Sequence, residues 1–417
     1  MNVLSEHQKE KFDEFCLKIE TEKEILIKGS AGVGKTFLVS FIADYLKTKV
    51  ASYRILCSAP THKALSVIQS KIDGELKFST LHSSLHYKAI TDKTTGEREF
   101  VSVPSEKYPP LKGIKYWIID ESSMIDTDML RNIRLHAYKQ GVKVIFVGDG
   151  KQLNPVGEED SPVFIEEQLV SLELTEIVRQ GAGNPIIELS RNLGRIIDYQ
   201  EKLTEEGHGY LYTINYNKII EELAKVNGTD EMKYLAWTNT EIDKINSEVR
   251  KRIYGDFPEK VELGETIVMD GPYREYTTNQ EIKVEKVEQF FYRRPIVLEE
   301  KPNFISEEAT FKVYKINDEI LILHDDAIPL YKRYVAIMSA NAKKNLLSFE
   351  SRNNFMSLFA TFKYNHALTV HKSQGSTYKQ AIINIKNIEM NPNKKEKKRL
   401  LYTAITRASD LVILYNV

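Results

Sequence analysis

The chain has 417 residues, with 58 Lys and Arg against 59 Asp and Glu and a formal net charge of -1; its pI is near 6.8. Hydrophobic residues at 42% and charged residues at 28% exclude a disordered chain, a collagen and a disulfide scaffold, and the length accommodates two or three domains of about 100–200 residues each. Only Cys16 and Cys57 occur, which points to a reducing, cytoplasmic compartment. The opening MNVLSEHQKEKF lacks the apolar core of a signal peptide, and no apolar run approaches a membrane span. Near-neutral charge argues against a protein coated with basic residues for polyanion binding, while leaving room for a narrow basic channel.

In chain order, Ser5 can cap a helix whose apolar residues Phe12, Phe15, Cys16 and Ile19 share one face. Ile25-Leu26-Ile27, Arg54–Ser58, Tyr116–Ile119 and Val142–Val147 are short apolar runs, each followed by a polar or glycine-containing turn. This is the pattern of a parallel sheet covered by helices on both faces. Between the second and third runs, residues 86–110 read as a small inserted hairpin that includes Glu99–Val103. A second set of strand–helix units begins at Tyr234–Trp237, with a helix through Ile242, Ile245 and Val249, and resumes at Ala367–Val370, Ala381–Ile385 and Leu411–Tyr415. Between them the chain alternates apolar and polar residues at Thr266–Met269, Ile282–Val284, Thr310–Val313, Ile320–Leu323 and Tyr334–Ile337. That predicts antiparallel strands, a β-rich insert in the second lobe.

Gly29-Ser30-Ala31-Gly32-Val33-Gly34-Lys35-Thr36 fits G-x-x-x-x-G-K-[ST] between an expected strand and an expected helix. Its backbone N–H groups and helix N-terminus suit phosphate oxygens, Lys35 reaches the β- and γ-phosphates, and the Thr36 hydroxyl sits on Mg²⁺. Asp120-Glu121 close a neighbouring strand, Asp120 to hold the metal and Glu121 to orient or deprotonate water. Gln152, in Gly148–Val156, is placed to sense a γ-phosphate. Arg179 and Arg407 are candidates for the arginine that such a transition state wants from outside the P-loop lobe.

The ordered set Gly29–Thr36, Ala59-Pro60-Thr61-His62-Lys63-Ala64, Ser79-Thr80-Leu81-His82, Asp120-Glu121-Ser122-Ser123, Gly148–Val156, Leu174–Gln180, Leu235–Asn239, Leu368–Ser376 and Leu400–Ala408 resembles the motif series of superfamily 1 helicases, nearest to the RecD/Dda class. The resemblance runs from Gln8 to Arg407. It implies an α/β fold of two RecA-like P-loop NTPase lobes, with a small β-hairpin in the first and an SH3-like barrel in the second. The first lobe is expected over 1–190, the second over 191–259 and 362–417, and the insert over 260–361.

Carried over residue by residue, the resemblance implies that Lys35, Thr36, Asp120, Glu121, Gln152, Arg179 and Arg407 surround ATP·Mg²⁺, with Gln374 and Gly375 linking nucleotide to DNA. Gln8 would read adenine; Ser5-x-x-Gln8 is also a capping box, and the two roles need not exclude each other. Pro60, Thr61, His62, Thr80, His82, Thr238, Asn239, Thr369 and His371 would lie along single-stranded DNA, bonding phosphate without reading bases. Phe100 either stacks on the last base pair as a pin or packs the hairpin onto its own lobe. The Lys394–Arg399 run reads as a solvated helix face rather than a DNA contact. The expected activity is ATP-dependent 5′→3′ translocation and unwinding by a monomer. It would act on single strands and single/double-strand junctions beside replication or recombination proteins, in the host cytoplasm if the source is a phage. A translocase that displaces proteins without efficient unwinding, or an ATP-gated nucleic-acid clamp, would share the ATP site. Intact Glu121, Gln152 and Arg407 argue against the clamp, and phosphate-contacting motifs do not themselves distinguish RNA.

Overall fold

The computed structural model describes residues 3–72, 74–91, 98–103, 107–176, 184–193 and 201–416, of which 88–91 and 98–101 are described as backbone alone. Six parallel strands form the first sheet, in the order Lys77–Thr80, Ile55–Ala59, Tyr116–Ile119, Lys143–Gly148, Glu24–Gly29, Val170–Leu174. Alternate residues serve opposite faces. Ile25, Ile27, Ile118 and Ile145 pack with Phe15, Leu38 and Ile42 on one side, while Leu26, Trp117, Ile119 and Phe146 pack with Met129, Leu130 and Ile133 on the other. Burial on both faces is what makes these runs continuously apolar. The two edge strands, Lys77–Thr80 and Val170–Leu174, lack that signature because they are partly exposed.

The second sheet has the order Ala367–Thr369, Met232–Ala236, Tyr378–Asn384, Ala408–Tyr415, Gly209–Thr213, Lys202–Leu203, parallel except for its last member. The helix Pro185–Arg191 sends Ile186 and Leu189 into the core of this sheet. It therefore packs with the second lobe, on the far side of the boundary expected at 190.

The insert holds two three-stranded antiparallel sheets: Thr266–Met269 between Glu281–Lys283 and Phe362–Tyr364, and Val287–Glu299, Ile305–Ile316 and Ile320–Leu323 in chain order. Ile267 and Met269 of the first share a core with Tyr314, Ile316, Ile320 and Ile322 of the second. The strand expected at Tyr334–Ile337 is instead part of the 16-residue helix Ile328–Lys343. Pro329 starts it, and Tyr334, Met338 and Ala342 bury one face at four-residue spacing. Four alternating residues were too short a window to separate period 2 from period 3.6. With the helix Phe349–Met356, it packs on Phe311 and Val313 of the long hairpin. In the first lobe, Tyr87–Thr91 pairs antiparallel with Arg98–Ser102, Ala89 opposite Phe100. No helix among the described residues is long and apolar enough to cross a membrane.

Candidate nucleotide and nucleic-acid site

The strand Glu24–Gly29 delivers the chain into the P-loop, and Gly34, at φ 77°, caps the helix Lys35–Lys49 in a left-handed conformation that suits glycine. The helix's first N–H groups have no intrahelical partner and face a cavity of about 500 Å³. Lys35 Nζ donates to Gly29 O at 2.8 Å and Ser30 O at 3.1 Å, holding the ammonium against the loop. Lys35, Thr36, Asp120, Glu121 and Gln152 line this cavity from the first lobe; Gly375, Thr406 and Arg407 line it from the second.

Asp120 is 9% exposed and accepts the Glu121 N–H at 2.8 Å. Burial first, and the charge of Glu121 second, push its carboxyl up to about 7, against the pull of that N–H and of Lys35. Such a carboxyl is poised to gain a cation. With the Thr36 hydroxyl in the same cavity it offers the hard oxygen donors that magnesium prefers, one or two from protein and the rest from phosphates and water. The residues present therefore fit Mg²⁺. Glu121 adopts φ 51°, uncommon for a residue with a side chain and of a kind found at functional sites. Gln152 is 3% exposed, and its Oε1 has no hydrogen-bond partner among the described residues. Arg407 is 5% exposed and donates to Thr403 O at 3.2 Å and Ser376 O at 3.0 Å. No carboxylate pairs with it among the described residues, so its charge is available to an anion in the cavity.

The second lobe reaches the Gln152 loop directly. Gln374 Nε2 donates to Leu153 O at 3.2 Å, and Leu153 N–H donates to Thr403 Oγ1 at 3.2 Å. Gly375 also touches the first lobe: a Cβ there would lie 2.8 Å from Ala64 Cβ and 3.3 Å from Thr61 Oγ1. Gln8 is fully buried and closes the capping box with Ser5 while its Nε2 donates to Val33 O at 3.2 Å. Both ends of its amide are thus engaged, and it does not line the cavity.

The expected nucleic-acid residues cluster at strand ends. Ala59 and Thr80 are register partners at one edge of the first sheet; Ala236 and Thr369 are register partners at the corresponding edge of the second. Thr61, Thr80 and Thr238 cap the helices His62–Gln69, Leu81–Ser84 and Asn239–Tyr254 by accepting the N–H three residues on, at 3.2, 3.4 and 3.4 Å. Thr369 accepts the Lys372 N–H in the same way at 3.4 Å. Remaining free N–H groups at such ends suit phosphate. His62 and His82 are exposed, Pro60 half-buried beside Thr61. His371 lies 3.6 Å from Glu396, and Asn239 accepts Lys363 Nζ at 3.3 Å. The Lys394–Arg399 run does form a helix face, but Lys395 reaches Asp160 of the first lobe at 2.6 Å and Arg399 pairs with the same carboxylate. Arg179 and the Phe100 side chain lie outside the described residues. Asp149, Tyr402 and Thr403, within the segments Gly148–Val156 and Leu400–Ala408, also join the two lobes, through bonds that no local sequence pattern signals.

Residues 3–206 match a family model described as an AAA domain, and residues 364–415 match one described as a UvrD-like helicase C-terminal domain. The ATP-dependent DNA helicase dda of Enterobacteria phage T4 is 28% identical over 451 residues, covering 97% of each chain. The RecD subunit of the RecBCD enzyme of Buchnera aphidicola subsp. Schizaphis graminum is 27% identical over 442 residues, covering 94% of this chain and 70% of that one. These matches agree with the motif series: the chain is similar to superfamily 1 helicases of the RecD/Dda class. The fold agrees with solved structures. A Pif1 helicase structure describing DNA unwinding at forked dsDNA aligns with TM-score 0.53 and 18% identity over 99% of this chain and 92% of that one. Pif1 helicase from Candida albicans aligns with TM-score 0.50 and 17% identity over 100% and 95%.

Proposed function

We propose that this chain is an ATP-dependent DNA helicase that moves 5′→3′ on single-stranded DNA and opens duplex at single/double-strand junctions as a monomer. The observation that carries this reading is the cavity in which Lys35, Asp120 and Glu121 of the first lobe face Arg407 of the second. A triphosphate fits over the Lys35–Lys49 helix N-terminus, with Lys35 leaving its loop carbonyls for the phosphates. Thr36 and Asp120 would hold Mg²⁺, which supplies charge neutralisation at the phosphates when bound. Glu121 orients and deprotonates the attacking water, Gln152 bonds the γ-phosphate, and Arg407 stabilises charge that develops there. Because Arg407 and Gln374 come from the second lobe, triphosphate binds the closed arrangement more tightly than the open one and shifts the pair toward it. Hydrolysis removes that preference.

The four threonine-bearing strand ends, two at one edge of each sheet, form two phosphate grips, joined by His62, His82 and His371, that closing and opening bring together and apart. They use hydroxyl, imidazole and N–H groups, so any sequence passes. The family likeness favours 5′→3′ travel, Phe100 on the hairpin as the wedge, Arg179 beside the phosphates, and the two small sheets sharing one core as an SH3-like barrel. We place the lobe boundary near 184, where Pro185–Arg191 joins the second core, with the insert following Asn239–Tyr254 and ending where Ala367–Thr369 re-enters the sheet.

Partial duplexes with a 5′ or a 3′ single-stranded tail test the reading in one strand-displacement assay. The 5′-tailed duplex opens with ATP and Mg²⁺, and Lys35→Ala opens neither. Preference for the 3′ tail overturns the polarity, and ATP turnover with no opening of either duplex favours a translocase instead.

A further inference from the structure

Gln152 and Arg407 need to reach the γ-phosphate together, and the buried hydroxyl of Tyr402 is one of the contacts that connect their lobes. Tyr402 lies on the Lys394–Ile405 helix, five positions before Arg407, and is 4% exposed. Its Oη accepts the Ala31 N–H of the P-loop at 2.9 Å and donates to Asp149 Oδ2 at 2.6 Å. Asp149 is 2% exposed, and no cation pairs with it among the described residues. Its other oxygen accepts the Lys151 N–H at 3.0 Å, and its backbone carbonyl accepts the Gln152 N–H at 3.2 Å. A buried carboxylate without a counter-ion depends on its donors, so the phenol is a determining contact for the turn that presents Gln152. Burial, with the nearby Asp149 charge, pushes the Tyr402 phenol well above its ordinary range, keeping it a donor.

We propose that Tyr402 is a positioning residue for hydrolysis: its hydroxyl joins the P-loop at Ala31 to the Gln152 loop at Asp149, so that docking of the second lobe sets Gln152. This rests on the ATP-hydrolysis reading above. The Leu153 N–H bond to Thr403, the residue next to Tyr402, fixes the same loop from the same helix.

Single-stranded-DNA-stimulated ATP turnover, ADP affinity and melting temperature, measured for Tyr402→Phe, Gln152→Ala and the double variant, test the proposal. Tyr402→Phe lowers kcat about tenfold, with ADP affinity within about twofold of wild type. On the Gln152→Ala background it lowers kcat by no more than about twofold, because the residue it positions is gone. Asp149→Asn, which weakens the same bond, follows the Tyr402→Phe pattern and decides the matter if the phenylalanine variant does not fold. Unchanged kcat, effects that multiply in the double variant, or ADP affinity falling in step with kcat overturns the proposal. Wild-type protein that fails to hydrolyse ATP overturns the functional reading, and this inference with it; active wild type with unaffected variants overturns this inference alone.

Discussion

Glu121 carries the hydrolytic step in this account, in a left-handed backbone conformation that aims its carboxylate into the cavity. Glu121→Gln is expected to retain Mg²⁺·ATP binding while lowering DNA-stimulated phosphate release by about 100-fold or more; fluorescence titration of nucleotide and a phosphate-release assay separate the two. Gln8 makes the opposite case, a residue whose resemblance-derived role competes with local structure. Its amide oxygen accepts the Ser5 N–H and one of its amide N–H groups donates to Val33 O. Gln8→Ala is therefore expected to cost about 1–2 kcal/mol of stability in denaturant while leaving the preference for ATP over GTP unchanged; loss of that preference would return adenine recognition to Gln8. Lys35, Thr36, Asp120, Glu121, Gln152 and Arg407, which line one cavity, were picked out from the sequence, the first four by phosphate and metal chemistry in and beside the P-loop and Arg407 only in company with the other motifs. Tyr402 was not. Its partner Asp149 is 253 residues away in the chain, and a hydrogen bond over that separation leaves no local pattern.

Among the elements, those buried on both sides announced themselves. Ile118-Ile119 and Ile145–Val147 can only be central strands, and the sheet places them there. Partly solvated edges were silent: Lys77–Thr80 exposes its first residue and offers no continuous apolar run, yet it carries Thr80 to its place beside Ala59. The Lys394–Arg399 run reads as solvated because charge alone is visible in sequence, whereas Lys395 and Arg399 reach across to Asp160. The hairpin Tyr87–Thr91 and Arg98–Ser102 brings Phe100 opposite Ala89, close to the connecting segment. If this element is the wedge, Phe100→Ala reduces unwinding of a 5′-tailed duplex by about fivefold or more and changes DNA-stimulated ATP turnover by less than about twofold, since base stacking contributes about 1–3 kcal/mol. Equal loss of both removes the wedge.

Across the whole molecule, two largely parallel sheets share one cavity between them. The sequence pattern foretold the lobes and the interruption of the second, because alternating strands and helices leave a period in the chain. The insert's helices were hidden by short alternations such as Tyr334–Ile337, where packing against Phe311 rather than local periodicity decides the outcome. Contacts across the lobes, from Gln374 and Thr403 to Leu153 and from Tyr402 to Ala31, tie the Gln152 loop and the P-loop to the second lobe. The proposed mechanism therefore requires the lobes to approach when nucleotide binds. A fluorescence energy-transfer pair tests it most directly, with labels on Tyr53→Cys and Ile214→Cys, both exposed, in a Cys16→Ser background that leaves only the buried Cys57. Mg²⁺ with a non-hydrolysable ATP analogue should shorten the interlobe distance in this protein and leave it unchanged in Lys35→Ala; a wild-type distance that stays constant while the analogue is bound would contradict the account.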